Sequence, residues 1–259
     1  MTTAAARLRA LLDNESPVVA PGAFNALFAR LIEDAGFPAV YLSGAGVANS
    51  LLGMPDLGIF TQTEMVTIAD NVCQAVDVPV IVDGDTGYGG IHNVARTVRL
   101  YERAGVAAIQ LEDQTFPKKC GHFEGKQVVS RAEMLERIHA AKEARSSADS
   151  ILIIARTDAA AVIGLDEAIE RAKLFGEAGA DVLFVEAPRT EDELALVGKE
   201  LSGYRLLANM VEFGKTPLLP AERLGELGFH CVIYPGAITR SVVPAAREML
   251  AELKAEGTT

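Results

Sequence analysis

The sequence predicts an α/β protein built as a (β/α)8, TIM-type barrel. Three observations support this prediction: short apolar runs alternate with amphipathic segments, eight such pairs follow one another, and polar residues begin where most of the runs end. A barrel of this kind uses about 250 residues, and the chain has 259. We therefore expect a single barrel domain over residues 1–259, with a doubly wound open sheet as the main alternative.

The apolar runs are the predicted barrel strands. They are nearly continuous rather than alternating, which is typical of parallel strands buried on both faces. In chain order they are Val18–Ala20, Ala39–Leu42, Val78–Val82, Ala107–Leu111, Ile151–Ala155, Val182–Val185, Leu206–Ala208 and Cys231–Tyr234.

The amphipathic segments between these runs are the predicted helices, and an additional helix is expected before the first strand. Several end in Ala-Gly, as at Ala104-Gly105, where glycine suits the left-handed residue that closes a helix. The helices that follow the strands are predicted at Ala23–Ala35, Thr63–Ala75, His92–Ala104, Arg131–Ser146, Leu165–Ala178, Thr190–Leu201, Ala221–Leu227 and Thr239–Leu253.

Composition excludes several classes of partner. The net charge of −11 argues against nucleic acid, since binding to phosphates requires a basic face. No apolar run approaches the ~18–20 residues of a membrane span, so we expect no membrane partner. The three cysteines, Cys73, Cys120 and Cys231, have no paired spacing, which predicts reduced thiols and a cytoplasmic location.

Three acidic residues follow neighbouring predicted strands and form a candidate metal site. Asp83 and Asp85 stand two apart on a segment that we interpret as extended, so their side chains should share one face. Glu112 follows the next strand. Oxygen ligands suit Mg²⁺ or Mn²⁺, and the lack of a nearby His or Cys pair argues against zinc. The alternative is that these acids only stabilise turns and helix ends.

A candidate proton donor lies in the segment Lys118-Lys119-Cys120-Gly121-His122. The two lysines should lower the pKa of the Cys120 thiol, so the thiol could exchange a proton near neutral pH. A covalent Cys/His dyad is disfavoured because such dyads normally join distant segments. The remaining alternative is an incidental surface cysteine.

Other polar residues at the strand ends predict a small anionic substrate. Arg156 leaves a buried strand and needs an anionic partner, either Glu186 or a substrate carboxylate. Tyr41 is a candidate acid or base, with a packing role as the alternative. Backbone amides beside Ser43 could hold a carboxylate. A metal would then stabilise a 2-oxo acid enolate, while the cysteine transfers a proton on the other fragment.

The segment Lys118–His122 resembles the Lys-(Lys/Arg)-Cys-Gly-His signature of the isocitrate lyase / phosphoenolpyruvate mutase superfamily. Further motifs resemble this superfamily in the same order along nearly the whole chain. They are Tyr-Leu-Ser-Gly-Ala-Gly from Tyr41, Asp-Gly-Asp-Thr-Gly-Tyr-Gly from Asp83, Leu-Glu-Asp-Gln from Leu111, Ala-Arg-Thr-Asp-Ala from Ala155 and Ala-Asn-Met-Val-Glu-Phe-Gly-Lys-Thr-Pro from Ala208. The resemblance is to the short branch, which includes 2-methylisocitrate and 2,3-dimethylmalate lyases, the petal death protein and carboxyphosphoenolpyruvate mutase.

The resemblance implies an Mg²⁺-dependent carbon–carbon lyase that splits a 2-hydroxy di- or tricarboxylate, of the 2-methylisocitrate or 2-alkylmalate type, into pyruvate or glyoxylate and a second acid. The alternatives are a carboxyphosphoenolpyruvate-type phosphonomutase and an oxaloacetate decarboxylase or hydrolase. For the metal, the resemblance implies Asp85 as direct ligand, Asp83 and Glu112 on the metal's waters and Asp56 nearby. For the reaction, it implies Tyr41 as base and Cys120 as acid. The oxo-acid carboxylate would be bound by Ser43, Gly44, Ala45 and Arg156, and the second carboxylate would lie beside Lys118, Gly121, His122, Glu186 and Asn209.

The resemblance also implies a homo-oligomer, a dimer of dimers that swap a C-terminal helix. This sequence stops at Thr259, before the C-terminal arm that members of the superfamily usually carry. Either the arm is absent from the given sequence or the fold forms without it, and the helix swap and part of the lid depend on which alternative holds. The loop Lys118–His122 is expected to be a mobile lid that delivers Cys120 and stays open without substrate.

Overall fold

Eight parallel strands form a closed barrel in chain order in the computed structural model, which describes residues 2–119 and 125–259. Because β1 pairs in parallel with β8, the doubly wound alternative is excluded. All eight predicted strands are present. They are β1 (Val18–Ala23), β2 (Val40–Leu42), β3 (Val80–Asp83), β4 (Ala108–Glu112), β5 (Leu152–Thr157), β6 (Val182–Val185), β7 (Leu206–Asn209) and β8 (Cys231–Tyr234).

All of the predicted helices are also present, and their ends differ from the prediction by three residues at most. They are α1 (Ala4–Leu12), α2 (Ala26–Asp34), α4 (Gln62–Ala75), α5 (Ile91–Arg103), α6 (Arg131–Ala144), α8 (Leu165–Glu177), α9 (Glu191–Glu200), α10 (Ala221–Glu226) and α11 (Ala237–Glu256).

Two short helices at the carboxyl end of the barrel were missed: α3 (Gly44–Val47), which leads into a π-helical turn (Ala48–Leu52), and α7 (Ala159–Val162). No helix was predicted at the glycines that begin α3. A helix begins there because the Ser43 hydroxyl caps it, accepting a hydrogen bond from the amide of Gly46 at 3.1 Å.

Helix α1 closes the amino-terminal end of the barrel. Its side chains Leu8 and Leu12 belong to the same buried cluster as the interior residues Ala20, Ile81 and Phe184. Burying these two leucines removes them from water and blocks that end, which leaves the carboxyl end as the open mouth.

Strand periodicity directs polar side chains into this mouth. Ile81 belongs to the interior cluster, whereas its neighbour Val82 belongs to the layer between strands and helices. Since successive side chains alternate, the residue two positions beyond each interior residue also points inward. Arg156 lies two positions beyond Ile154 of β5, and Glu186 lies two positions beyond Phe184 of β6, so both side chains also point inward.

Helix α11 is the last element, and none of its residues is fully buried. No helix among residues 2–119 and 125–259 combines the length and the apolar composition that crossing a membrane requires.

Candidate active site

The mouth of the barrel contains a cavity of about 260 Å³ that brings together many of the predicted site residues. Strands β2, β3, β5, β6 and β7 each contribute at least one side chain, at or just after the strand end, because their carboxyl ends meet at one rim. The predicted residues that line the cavity are Tyr41, Ser43, Ala45, Asp56, Asp83, Arg156, Glu186 and Asn209.

Arg156 is held mainly by Asp158, a residue to which the sequence interpretation gave no role. The guanidinium Nε and Nη2 donate to the two oxygens of Asp158, each at 3.0 Å. The predicted partner Glu186 lies farther away, with its Oε2 at 3.6 Å from Nε, and Nη1 lies 3.3 Å from Glu112 Oε2. Burial lowers the pKa of Arg156, but these carboxylates raise it well above its usual value, so the group stays charged.

Asp158 also connects Arg156 to the segment that follows the Cys120 loop. The buried ammonium of Lys126 donates to Asp158 Oδ1 at 2.6 Å. Although burial raises the pKa of Asp158, Arg156 and Lys126 more than compensate, and the pKa is lowered overall. Asp158 is therefore an ionised carboxylate that two buried cations share. Residue spacing in the sequence does not reveal this arrangement.

The predicted metal ligands do not lie as the sequence suggested. Strand β3 ends at Asp83, and Asp85 has a left-handed backbone with φ of 48°, so the two are not on one extended segment. The amide of Asp85 donates back to Asp83 Oδ1 at 3.1 Å. Asp83 lines the 260 Å³ cavity, whereas Asp85 lines a second cavity of about 480 Å³ beside it. Asp83 and Asp85 therefore do not share a face of one extended segment, as predicted, because the chain turns directly after Asp83.

Lys118 lies between two acids of the predicted metal site, Asp56 and Asp85. Its ammonium lies 2.6 Å from Asp56 Oδ1 and 2.7 Å from Asp85 Oδ1, and its side chain is only 3% exposed. The sequence interpretation placed Lys118 in a mobile lid beside the substrate. In the structure it is instead a buried counter-ion of the predicted metal ligands.

The buried carboxylates are not fully neutralised. Burial raises the pKa of Asp85 to about 7, although Lys118 opposes the shift. Burial also raises the pKa of Asp83, and it raises that of Glu112 well above its usual value. Oε1 of Glu112 is buried and has no hydrogen-bond partner among the described residues. A further positive charge in this site would lower these carboxylate pKa values and stabilise the ionised forms.

The donor chemistry fits Mg²⁺ bound partly through water and substrate. Within the described part of the chain, no three His, Cys, Asp or Glu side chains are placed to hold a metal ion by themselves, so the direct three-carboxylate cluster inferred from spacing does not form. Mg²⁺ usually keeps several waters and binds through one or two carboxylates. Asp85 or Asp56 as direct ligand, with Asp83 and Glu112 on its waters, is compatible with this arrangement.

Tyr41 is fixed at the floor of the cavity. Its hydroxyl donates to Gln110 Oε1 at 3.0 Å, and Gln110 Nε2 donates to Asp83 Oδ1 at 3.3 Å. Burial, followed by the charge of Asp83, raises the pKa of Tyr41 well above 10, while Arg156 lowers it. The phenol is therefore neutral in this state.

Ser43 and Ala45 line the cavity at the start of α3. The first amides of a helix have no partner within the helix, which leaves those of Gly44 and Ala45 available to a carboxylate. Gly44 is also required sterically, because a methyl group there would lie 2.8 Å from Asp83 Oδ2.

The far wall of the cavity includes groups that the sequence interpretation missed. Asn209 Nδ2 donates to Glu186 Oε2 at 3.2 Å, and the buried Asn209 Oδ1 has no partner in the part of the chain that the structure describes. The same holds for the buried Thr239 Oγ1, while Arg240 donates to Glu212 at 2.5 Å. Thr239 and Arg240 lie at the start of a helix, where polar residues are common, so no sequence signal distinguished them.

Three predicted site residues, Cys120, Gly121 and His122, lie outside the described residues. The predictions of an acid at Cys120 and of a loop that opens without substrate therefore stay predictions. The described residues on either side are Lys119, whose ammonium donates to the Gly125 carbonyl at 3.1 Å, and Gly125 itself.

The family model for phosphoenolpyruvate phosphomutase matches residues 8–254. The chain belongs to this family. Among curated relatives, it is 49% identical to 2,3-dimethylmalate lyase of Eubacterium barkeri, covering 98% of this chain and 88% of the relative. It is 47% identical to 2-methylisocitrate lyase of Aeropyrum pernix, covering 97% and 80%.

Solved structures of this family share the fold closely. Oxaloacetate acetylhydrolase bound to 3,3-difluorooxalacetate gives a TM-score of 0.96 at 40% identity, covering 99% of this chain and 88% of that chain. A crystal structure of 2,3-dimethylmalate lyase, described as a PEP mutase/isocitrate lyase superfamily member, gives 0.95 at 43%, covering 99% and 86%. Phosphonopyruvate hydrolase with oxalate and Mg²⁺ gives 0.88 at 33%, covering 99% and 88%. The predictions of superfamily and of an enzyme are confirmed.

Proposed function

We propose that this protein is an Mg²⁺-dependent carbon–carbon lyase, with Mn²⁺ as a possible substitute, that cleaves a 2-hydroxy dicarboxylate or tricarboxylate to a 2-oxo acid and a second carboxylic acid. The observation that carries the proposal is the position of the Arg156 guanidinium in the same small cavity as Tyr41 and the acids Asp56 and Asp83. Such a cavity can bind a carboxylate at one point and a cation at another. The identity to two named lyases supports the same class.

The reaction requires one base and one acid. Loss of the substrate hydroxyl proton to a base lets the oxygen form a carbonyl as the adjacent carbon–carbon bond breaks. The electron pair of that bond goes to the second fragment, whose carbanion is conjugated with its own carboxylate, and an acid protonates it. This balance places the enolate on the second acid, whereas the sequence interpretation placed it on the 2-oxo acid.

The base role falls to Tyr41 in this proposal. Its phenol lies in the cavity and is oriented by Gln110. Its raised pKa makes the phenolate a strong base, and Arg156 is the positive side chain that favours its formation. A bound divalent cation would supply further positive charge for the oxygens of the 2-oxo acid.

The two substrate carboxylates would contact different groups of the cavity. Arg156, the hydroxyl of Ser43 and the amides of Gly44 and Ala45 would hold the carboxylate of the 2-oxo acid. Asn209 and Glu186 lie on the side that would receive the second acid, where Lys118, Gly121 and His122 were also predicted. The oxygens of Asn209 and Thr239, which have no partner among residues 2–119 and 125–259, would be available there for a hydroxyl or a carboxylic acid proton.

Cys120 remains the proposed acid for the second fragment. We expect Cys120→Ser to abolish turnover and to keep the binding of oxalate with Mg²⁺, since the serine hydroxyl is a much weaker acid than the thiol. Full activity in Cys120→Ser would refute this role.

A hydrolase that acts on oxaloacetate is the second candidate, favoured by the TM-score of 0.96 to oxaloacetate acetylhydrolase. A phosphonomutase is the third alternative from the sequence. A substrate panel separates these functions: 2,3-dimethylmalate, 2-methylisocitrate, other 2-alkylmalates, oxaloacetate and phosphoenolpyruvate, each with and without EDTA.

A lyase should release a 2-oxo acid from one of the hydroxy acids, detected by reduction with NADH and lactate dehydrogenase, and EDTA should stop the release. Oxalate formed from oxaloacetate would support the hydrolase. Conversion of phosphoenolpyruvate to a phosphonate, detected by phosphorus NMR, would support the mutase.

We also propose that the chain assembles into homo-oligomers, as a dimer of dimers, in the cytoplasm. Helix α11 has no fully buried residue but exposes Val243, Leu250 and Leu253, and apolar residues of this kind are commonly covered by a partner subunit. The free thiols Cys73 and Cys231 suit a reducing compartment. Mass photometry at nanomolar concentration tests the assembly.

A further inference from the structure

Two buried charged side chains, those of Asp158 and Lys126, lie behind Arg156 and outside the active-site cavity. Arg156 lines the 260 Å³ cavity, whereas Asp158 and Lys126 do not. The side chain of Asp158 is fully buried, and that of Lys126 is 1% exposed. Neither group is placed to touch a substrate in the cavity, so any effect of these two residues on the substrate must pass through Arg156.

Asp158 fixes the direction in which the guanidinium of Arg156 faces. Its two oxygens accept from Nε and Nη2, each at 3.0 Å, so one planar edge of the guanidinium is occupied. The remaining nitrogen, Nη1, lies 3.3 Å from Glu112 Oε2, and the centroid of the Phe184 ring lies 5.3 Å from the guanidinium carbon. A guanidinium that is held along one edge can present its other edge to a second carboxylate.

The position of Asp158 is itself fixed by Asp113. The amide of Asp158 donates to Asp113 Oδ1 at 2.8 Å, and the hydroxyl of Thr157 donates to Asp113 Oδ2 at 2.7 Å. Arg171 Nη1 donates to the same Oδ2 at 3.0 Å. These hydrogen bonds hold the chain at the end of β5, so Asp158 is a rigid support for Arg156.

Lys126 changes the balance of charge around Arg156. Three carboxylates among the described residues, those of Glu112, Asp158 and Glu186, lie 3.0–3.6 Å from nitrogens of Arg156. The ammonium of Lys126 lies 2.6 Å from Asp158 Oδ1, the same oxygen that accepts from Arg156 Nη2. Because a second cation offsets part of the charge of this carboxylate, the guanidinium attracts an anion in the cavity more strongly.

We propose that Asp158 and Lys126 are positioning residues for the carboxylate of the 2-oxo acid. Asp158 turns the open edge of the Arg156 guanidinium toward the cavity, and Lys126 offsets the charge of Asp158 so that Arg156 keeps its attraction for the carboxylate. This role rests on the proposed function, in which Arg156 binds that carboxylate. Removal of the Lys126 charge should therefore weaken carboxylate binding although Lys126 does not contact the ligand.

Isothermal titration of oxalate into the protein with Mg²⁺ measures this effect without turnover. Lys126→Met removes the charge, and Lys126→Gln removes the charge but keeps a hydrogen-bond donor for Asp158. We expect both variants to bind oxalate at least about tenfold more weakly than the parent protein, and Lys126→Arg to bind it within about threefold of the parent protein. In steady-state kinetics, KM should rise while kcat stays nearly unchanged, as for a loss of uniform binding.

Lys126→Gln decides the question if Lys126→Met does not fold, since the Asp158 carboxylate keeps a hydrogen-bond partner there. An oxalate affinity equal to that of the parent protein, in either folded variant, would overturn this role alone. Absence of oxalate binding in the parent protein would refute the carboxylate site of the proposed function and this role with it.

Arg145→Met is the matched control, because it also breaks a largely buried ion pair, in which Arg145 Nη1 lies 2.8 Å from Asp181 Oδ2. Asp181 directly precedes β6, so this pair lies at the amino-terminal end of the barrel, away from the cavity. Urea unfolding should show lower stability in Arg145→Met, while its oxalate affinity stays within about twofold of the parent protein. If Arg145→Met weakened oxalate binding as much as Lys126→Met, general destabilisation would explain the effect and the proposal would fail.

Discussion

The hydroxyl of Tyr41 donates to Gln110 Oε1 at 3.0 Å at the floor of the active-site cavity. The amide of Gln110 in turn donates to Asp83 Oδ1 at 3.3 Å. This chain of hydrogen bonds connects Tyr41, the proposed base, to Asp83, a residue of the proposed cation site. The interior of the barrel therefore contains linked polar groups and is not only a packed apolar core.

Tyr41→Phe should retain oxalate binding but lose at least about 100-fold in kcat, since a positioned base commonly contributes 10²–10⁴-fold. Tyr101→Phe is the matched control, because Tyr101 is also a buried tyrosine but its hydroxyl lies 3.3 Å from that of Tyr88. Steady-state kinetics of both variants test the role. More than a tenth of the parent activity in Tyr41→Phe would exclude Tyr41 as the base.

Asp158→Asn should destabilise the fold, because it leaves the buried charges of Arg156 and Lys126 without their shared carboxylate. We expect a loss of about 3 kcal/mol in the free energy of unfolding, as for other broken buried ion pairs. Glu191→Gln removes an exposed pair with Arg223 and should cost less than about 1 kcal/mol. Urea unfolding measures both, and equal losses would contradict the prediction.

Thiol reactivity should single out Cys120. Burial raises the pKa of Cys231 to about 12, and burial followed by the charge of Asp70 raises that of Cys73 to about 12. At pH 8 only about one thiol in ten thousand would be ionised at either position, and the thiolate is the reactive form. Iodoacetamide should therefore modify one cysteine rapidly, and Cys120→Ser should remove that phase. Rapid modification that persists in Cys120→Ser would show that Cys120 is not the activated thiol.

Gly44→Ala should impair catalysis more than folding. A methyl group at Gly44 would lie 2.8 Å from Asp83 Oδ2, so the Asp83 carboxylate must move. We expect at least about a tenfold loss of kcat and about 1–3 kcal/mol lower stability, as for overpacked sites. Gly90→Ala, where a methyl group meets no atom within 4 Å, is the control and should behave as the parent protein. Unchanged kinetics in Gly44→Ala would show that the position of Asp83 is not critical.

Much of the fold could be predicted from the sequence because each barrel strand is a continuous apolar run, which is visible locally even though the strand pairs with distant segments. The run Val182–Val185, for example, was found with its observed ends because both faces of a parallel strand are apolar. Helix α3 was missed because its first residues are glycines, and its stability depends on the Ser43 cap rather than on helix propensity.

The site could be predicted only as a set of residue types at one rim. Arg156 was recognised as needing an anion, but its choice of Asp158 over Glu186 depends on distances of 3.0 and 3.6 Å that the sequence does not show. The position of Lys118 was also hidden, because its motif indicates a loop while its side chain reaches back to Asp56 and Asp85. Pairing between distant segments is a property of the folded chain.

Proton NMR of the reaction in D₂O tests the carbon–carbon lyase proposal most directly. The protein is incubated with Mg²⁺ and 2,3-dimethylmalate, or with the hydroxy acid that the substrate panel selects. We predict equal amounts of a 2-oxo acid and a second carboxylic acid, with one deuterium on the carbon of the second acid that lost the bond. Absence of a 2-oxo acid from every hydroxy acid tested, or a second acid without deuterium at that carbon, would contradict the proposed reaction.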